Sequence, residues 1–599
     1  MQLLLPPLVF ILLSATVLPA AAAPVIQAAE VRPVPAWARL ERELIALLDR
    51  AGELFVETYA QPDGTLRFKQ RYEGGMNSSD DAYEAFRSLS IHTIVGGSAR
   101  LDAHHRRVWD GITRQFTRYG QIWREFDSNW DWMHHGEGYT SFYSFGLADP
   151  GDAKFRDRAV RFARMYTGDD EESPNYDRER NLIRAVMNGS RGPKMAWTTR
   201  DWIPTNANLT YYQLPYDDIP GVDSPAGWIN DESFAQIVKT MSDRMARGDV
   251  PINLTVTPLI ANAYLYTGDA KYKDWVARYI EGWQERTRAN NGITPDNVGA
   301  TGKVGENTGG KWWGGYYGWR WPRGGIDIIR AEITAAKAAH LLTGDVRWFD
   351  LPRSQLEVVR KQGRQTANGW RTPARHDDRG WYQYGPEPAY PYAWMWLHTF
   401  DERDWKEAER LGARGNEPDV AWALFLRGRD AAYPEAALRR DLQQARAKMD
   451  RIRGEHGDPE TWVDSKWADM NPMTVDNLLR LTMGAPQIDL RGEMLHARLR
   501  YFDAANRRPG LPAGVAALVT KLGREEAAVE LVNTSPASRR VLVQGGAYGE
   551  HRFESVNGTP VGGKTFEVAM APGAGITLSL RMKCWVNTPS FAWPPEVAP

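Results

Sequence analysis

Apolar residues recur at intervals of three and four from Trp37 onward, beginning with WARLERELIALLDRAGELF. That spacing predicts an amphipathic helix. The signal then returns in pairs. SFGLADPGDAKFRDRAVRFARMY from Ser144, ANAYLYTGDAKYKDWVARYIEGW from Ala261 and AKAAHLLTGDVRWFDLPRSQLEVV from Ala336 share one plan. Each is an apolar helix, a Gly-Asp turn and a second, amphipathic helix. Glycine suits the left-handed residue that closes the first helix, and aspartate suits the N-cap that opens the second. Looser copies start at Val95 and Val420. The turn inside each pair is short, whereas the connections between pairs, such as those from Arg71, Arg124, Asp170, Asn291, Thr366 and His456, are long and irregular. A solenoid would keep its repeats uniform, so the pattern predicts a mainly α body, an (α/α)6-type toroid of helical hairpins, over residues 37–489. In a closed ring the long connections gather at one mouth. VPINLTVTPLIANAYLY and IDIIRAEITAAKAAHLL are expected inside, and the charge-rich DAKYKDWVARYIEGWQERTR outside.

From about Leu490 the period changes. MLHARLRYFD, GVAALVTKL, AAVELVNTS, RRVLVQGGA, KTFEVAMAP and GITLSLRMK are short segments bounded by Gly, Pro and Asn. They predict a small C-terminal antiparallel β-sandwich domain over residues 490–599. At the other end, MQLLLPPLVFILLSATVLPAAAAP has an apolar core followed by small residues, which reads as a signal peptide over residues 1–23. Residues 24–36 then read as a linker, and the protein is expected to be secreted or periplasmic. No later segment is apolar enough for an integral membrane span. The single cysteine, Cys584, leaves stability to the hydrophobic core. A formal net charge of −1 over 599 residues removes the broad electrostatic case for nucleic acid.

The compositional outlier is tryptophan, 25 in all. Trp312, Trp313, Tyr316, Tyr317, Trp319 and Trp321 crowd one Gly-rich connection together with Lys311, Arg320 and Arg323. Indole faces and guanidinium forks suit a saccharide, the first packing on C–H faces and the second gripping a carboxylate. The connection from Arg124, FDSNWDWMHHGEGYTSFYSF, is the densest in reactive groups, with Asp131, His134, His135, Glu137 and Tyr139. His-His-x-Glu lacks the i, i+4 histidine pair of a helical zinc site, so neither metal nor cofactor is expected. Asn77 and Asp81 precede the helix AYEAFRSLSIHTIV, where Ser79 or Asp80 also suits an N-cap. Asn208, Tyr211 and Tyr212 lie in the longest connection and Arg371 in the fifth. An oligosaccharide or polysaccharide is the expected partner.

The Thr-Gly-Asp hairpin turn followed by a basic and an aromatic residue, the aromatic connections, the leader and the C-terminal strands together resemble the six-hairpin toroid superfamily of carbohydrate-active enzymes. That superfamily includes polysaccharide lyases with a toroid plus β-sandwich and the unsaturated glucuronyl hydrolases. The resemblance covers most of the mature chain as architecture. It implies β-elimination on a uronic-acid polysaccharide. His134 or His135, with Tyr139, Tyr211, Tyr212, Tyr316 or Tyr317, would then act as base and acid, and Arg320, Arg323 or Asn77 would hold the carboxylate. Glycoside hydrolysis is the alternative, with Asp80 or Asp81 facing Asp131 or Glu137 across a sugar. A non-catalytic glycan binder would use the tryptophans alone.

Overall fold

Two of the three Gly-Asp turns form as expected, while in the Ser144 copy the first helix ends at Asp149 with φ −152° and Gly151 plays no left-handed part. In the computed structural model, which describes residues 23–74, 79–203, 206–412 and 417–598, Gly268 and Gly344 close their helices at φ 67° and 70°. Asp152, Asp269 and Asp345 each cap the element that follows, accepting from the backbone N–H two residues on. The structure adds a further copy, Tyr390–Thr399 followed by Glu402–Arg410. There Phe400 takes the left-handed conformation at φ 53° and Asp401 supplies the cap. A non-glycine at that position hid the repeat from the sequence. Residues 1–22 of the expected leader, and Asn77, lie outside the described residues.

Helix Ala153–Thr167 packs on Thr257–Thr267, which packs on Gly325–Thr343, then Tyr390–Thr399, then Pro418–Leu426. The first long helix, Ala36–Tyr59, packs against the last, Tyr433–Arg453. Thr257 to Leu265 is buried throughout, and Gly325–Thr343 nearly so. Ala270–Ala289 buries only the face carrying Tyr272, Trp275, Val276, Tyr279, Ile280 and Trp283. The apolar and charge-rich helices therefore occupy the buried and half-exposed positions that their patterns demand.

The C-terminal region holds two five-stranded sheets. In the first, Val25–Ala28, Thr565–Met570, Arg539–Gly545, Leu499–Asp503 and Arg508–Pro509 lie side by side in that order. The second runs Val515–Leu522, Glu526–Asn533, Gly575–Lys583, Arg552–Val556, Thr559–Pro560. Phe553 and Phe566, one from each sheet, meet with ring centroids 4.8 Å apart. All pairings are antiparallel except that of Val25–Ala28 with Thr565–Met570. The stretch read as a linker thus supplies an edge strand, placed there by a partner over five hundred residues away that local pattern cannot reveal. The β-region is bonded to the helices through Ala517 N–H donating to Glu41 at 3.1 Å and Arg500 donating to the Leu147 carbonyl at 2.6 Å. The fifth connection, expected to be irregular, folds into a three-stranded sheet of Arg364–Thr366, Gly369–Asp377 and Gly380–Gly385.

Candidate functional site

The helix Trp132–Tyr139 starts at Asp131, whose carboxylate accepts from the N–H groups of Met133 (2.9 Å) and His134 (3.2 Å). Two glycines let this helix approach its neighbours. A Cβ on Gly136 would stand 2.6 Å from the Arg491 carbonyl carbon, and one on Gly138 3.1 Å from Asp80 Cα. The helix Ser79–Glu84 and the Arg491–Gly492 backbone are thereby drawn against it. The second oxygen of Asp131 accepts from His134 Nδ1 at 2.9 Å and from the Tyr316 hydroxyl at 3.0 Å. Asp131 therefore ties the second connection to the aromatic one.

His134 is 3% exposed. Burial opposes its charge, but the Asp131 carboxylate, helped by Asp80 and Glu137, raises its pKa to about 10. Conversely, burial pushes Asp131 up while His134 pulls it down, and the net direction is down. Asp80, His134 and Glu137 each present a ligand-type atom within 4.8 Å of the other two. Nδ1 of His134 is taken by Asp131, so Nε2 is the nitrogen left for this group. Glu137 is lifted to about 7, first by burial and then by Glu84, against the pull of His134, Arg323 and Arg491. Asp81 is likewise raised to about 7 by burial and by Asp464, Glu84 and Glu137. Its Oδ2 is buried without a hydrogen bond among the described residues. Arg323 closes the group on the aromatic side. Its guanidinium stands 5.7 Å from the Tyr317 ring centroid and 3.6 Å from Asp327, with the buried Nε making no hydrogen bond among the described residues. Asp327 is also paired with Arg491 at 2.8 Å.

The aromatic connection is organised by a residue the sequence did not single out. Asp296 is buried and accepts from the N–H groups of Gly314 (3.1 Å), Gly315 (2.8 Å) and Trp319 (2.7 Å), and from Asn297. Folding around this carboxylate turns most of the aromatic rings inward. Trp319 is fully buried and donates to the Thr294 carbonyl, and Trp313 joins it in a small apolar cluster with Ile328, with Trp312 packed alongside. The tryptophans expected as an open sugar platform are thus a buried plug, because the Gly-rich backbone can wrap its own anion. Tyr316 and Tyr317 are also buried, their rings 4.6 Å apart, and burial drives both phenols well above the ordinary value. Arg320, expected to meet a substrate carboxylate, is already paired with Asp217 and Asp377.

The remaining candidates scatter. Tyr139 stacks on Phe126 at 4.3 Å, and its hydroxyl accepts from the Asp127 N–H at 3.0 Å. It points into the aromatic core on the far side of its helix from Glu137. His135 donates through Nε2 to the Asn188 carbonyl at 2.9 Å, and burial lowers its pKa. A histidine so placed is neutral and structural. Tyr212 stands 6.2 Å from Trp321 at the margin of the site, while Tyr211 is 77% exposed and Asn208 is exposed beside it. Arg371 lies in the strand Gly369–Asp377, opposite Arg364. Glu84, Asp327 and Arg491 were missed, since no local spacing links residues so far apart in the chain.

The chain matches the family described as Domain of unknown function (DUF8034) over residues 25–372 and 365–479, and it belongs to that family. No curated protein sequence matches it. Among solved structures it is similar to a D-mannose isomerase, with 11% identity over 65% of this chain and 88% of that one at a TM-score of 0.35. It is also similar to a GH127 β-L-arabinofuranosidase from Geobacillus stearothermophilus T6, with 11% identity over 92% of this chain and 81% of that one at a TM-score of 0.29. Likenesses this remote carry no chemistry across.

Proposed function

We propose that this protein is an exported carbohydrate-active enzyme built on an (α/α) toroid, and that it cleaves a uronic-acid-containing saccharide by β-elimination at the group formed by Asp81, His134, Glu137, Tyr317 and Arg323. The observation that carries the reading is an incompletely used cation. Arg323 is 37% exposed, has an unbonded Nε, and meets Asp327 only at 3.6 Å, whereas the buried Arg320 beside it already grips Asp217 and Asp377. A guanidinium with free donors at a partly open site is a receptor for a carboxylate. Holding the uronate carboxylate there acidifies the C5 proton by stabilising the enolate that its loss creates. Asp81, with an oxygen that has no hydrogen bond among the described residues, takes that proton. The electron pair forms the C4–C5 double bond, the C4–O bond breaks, and the leaving oxygen receives a proton from Tyr317, whose buried phenol stays protonated. The saccharide is the only partner this reading requires, and among the described residues no helix is long and apolar enough to cross a membrane.

Hydrolysis is the second reading, favoured by the closeness of Asp80 and Glu137, whose carboxylate oxygens lie within 4.8 Å. A retaining pair stands about 5–5.5 Å apart. Incubation of the purified protein with a panel of uronic-acid polysaccharides separates the two. Elimination gives the ultraviolet absorbance of a conjugated double bond, lost in Arg323→Ala. New reducing ends without that absorbance establish hydrolysis and refute the elimination reading.

A further inference from the structure

We propose that Asp80, His134 and Glu137 form a binding site for one divalent transition-metal cation, with Asp131 as the group that orients its histidine ligand. The sequence argued against a metal because the Arg124 connection lacks a paired-histidine spacing. The structure assembles a different ligand set, in which His134 and Glu137 project from one face of the helix Trp132–Tyr139 at i, i+3 and Asp80 comes from the helix Ser79–Glu84 packed against it. Gly138 makes this possible, since its missing side chain leaves Asp80 Cα only 3.1 Å from the position a Cβ would take.

Two features separate this group from an ordinary cluster of acids. The first is His134 itself. It is 3% exposed and its Nδ1 is held by Asp131 at 2.9 Å, which leaves Nε2, without a hydrogen bond among the described residues, as the nitrogen available to the two carboxylates. Metal-bound histidines characteristically give their second ring nitrogen to a carboxylate, which fixes the ring and strengthens the ligating nitrogen. Asp131 does this here while also holding the helix N-terminus and Tyr316, so the imidazole cannot rotate away. The second is span. Ligand atoms sharing an ion at about 2.0–2.2 Å stand at most roughly 4 Å apart, and the three atoms here lie within 4.8 Å of one another. Small side-chain rotations close that difference. One nitrogen and two carboxylate oxygens fit a first-row divalent ion such as Mn2+ or Zn2+. They suit Mg2+ and Ca2+ less well, since those ions favour oxygen ligands throughout.

The inference rests on the saccharide reading only for what the ion would do, which is to share the uronate carboxylate with Arg323. Binding itself is tested without substrate. The full chain, stripped with a chelator, is titrated with Mn2+ followed by electron paramagnetic resonance, and with Zn2+ by calorimetry. One equivalent per chain is expected. Affinity should rise with pH as the ion displaces the His134 proton, and thermal unfolding should shift upward with added ion. Glu137→Gln and His134→Ala should each weaken binding about 100-fold or more, and Asp131→Asn about 10–100-fold. Asp378→Asn, at an exposed acid, should leave it unchanged. Because a variant can fail to fold, the wild-type stoichiometry and thermal shift count by themselves. Binding weaker than about 1 mM, no thermal shift, or several equivalents indifferent to Glu137→Gln in a folded variant would overturn the site. Metal binding without unsaturated product leaves the cation site standing and removes the lyase reading. Unsaturated product from chelator-treated protein that binds no metal does the reverse.

Discussion

Four histidines are buried where the helices meet the β-region, and replacing one of them should make the protein more acid-resistant. His340 and His398 share a hydrogen bond at 3.0 Å, His496 packs edge-on against His398 at 4.8 Å, and His551 lies beside Trp585, which also touches His340 and His398. Burial lowers all four pKa values, His340 to about 3 and the others well below the ordinary value, with Lys337, Arg498 and Arg524 adding to the effect and Asp345 opposing it at His340. His496 makes no hydrogen bond among the described residues, so His496→Leu removes a titrating group with little else. The sign follows from linkage. A histidine held neutral in the folded state loses stability as pH falls below its unfolded pKa of about 6.5, because only the unfolded chain takes up the proton. At pH 7.5 the effect is about 0.1 kcal/mol, and at pH 5 about 2 kcal/mol, for one such group. Glu493 and Glu550, whose pKa values are raised by burial, titrate in the opposite sense, but they are common to both proteins and cancel in the comparison. His496→Leu should therefore be within about 1 kcal/mol of wild type at pH 7.5 and gain about 2 kcal/mol relative to it at pH 5. The assay is hydrogen exchange of the strand Leu499–Asp503 and the helix Tyr390–Thr399 at both pH values, which reports local opening without assuming two-state unfolding. An unchanged difference between the two proteins from pH 7.5 to 5 would refute the reasoning.

Tyr139→Phe should keep full activity, losing only about 1 kcal/mol for the bond from the Asp127 N–H; a hundredfold fall in turnover with an intact fold would return Tyr139 to the reacting groups. Asp296→Ala should leave the donors of Gly314, Gly315 and Trp319 without an acceptor. The cost is on the order of 3 kcal/mol or more, read by urea titration together with loss of near-ultraviolet tryptophan dichroism. Gly136→Ala would press a methyl group onto the Arg491 backbone. It should destabilise the protein by about 1–3 kcal/mol and lower activity, both measurable by thermal melting and product formation.

The repeated hairpins were legible in the chain because their signals are local. Apolar spacing, a glycine able to adopt positive φ and a capping aspartate lie within a few residues of one another, and Gly268–Asp269 and Gly344–Asp345 do what their chemistry dictates. The C-terminal strands were legible for the same reason. Of the residues read from separate connections, Asp81, His134 and Arg323 each lie near enough to Glu137 to shift its charge or be shifted by it. The sequence could not say which face of each residue would be used. Tyr139 and His135 follow His134 by only a few positions, yet helix rotation sends them into the core and onto the Asn188 carbonyl.

Tertiary structure alone decided the rest. The tryptophans of the Asn291 connection read as a sugar platform, and packing made them a plug around Asp296, a single carboxylate that gathers three backbone N–H groups around itself. The strand Val25–Ala28 needed Thr565–Met570 beside it, and the cation group needed Asp80 brought to His134 by a glycine. Periodicity and turn chemistry act over a few residues and are written in order along the chain. Burial, charge pairing and ligand geometry depend on atoms that are neighbours only after folding, so the amino-acid sequence determined the parts and their kind, and packing determined what they do to one another.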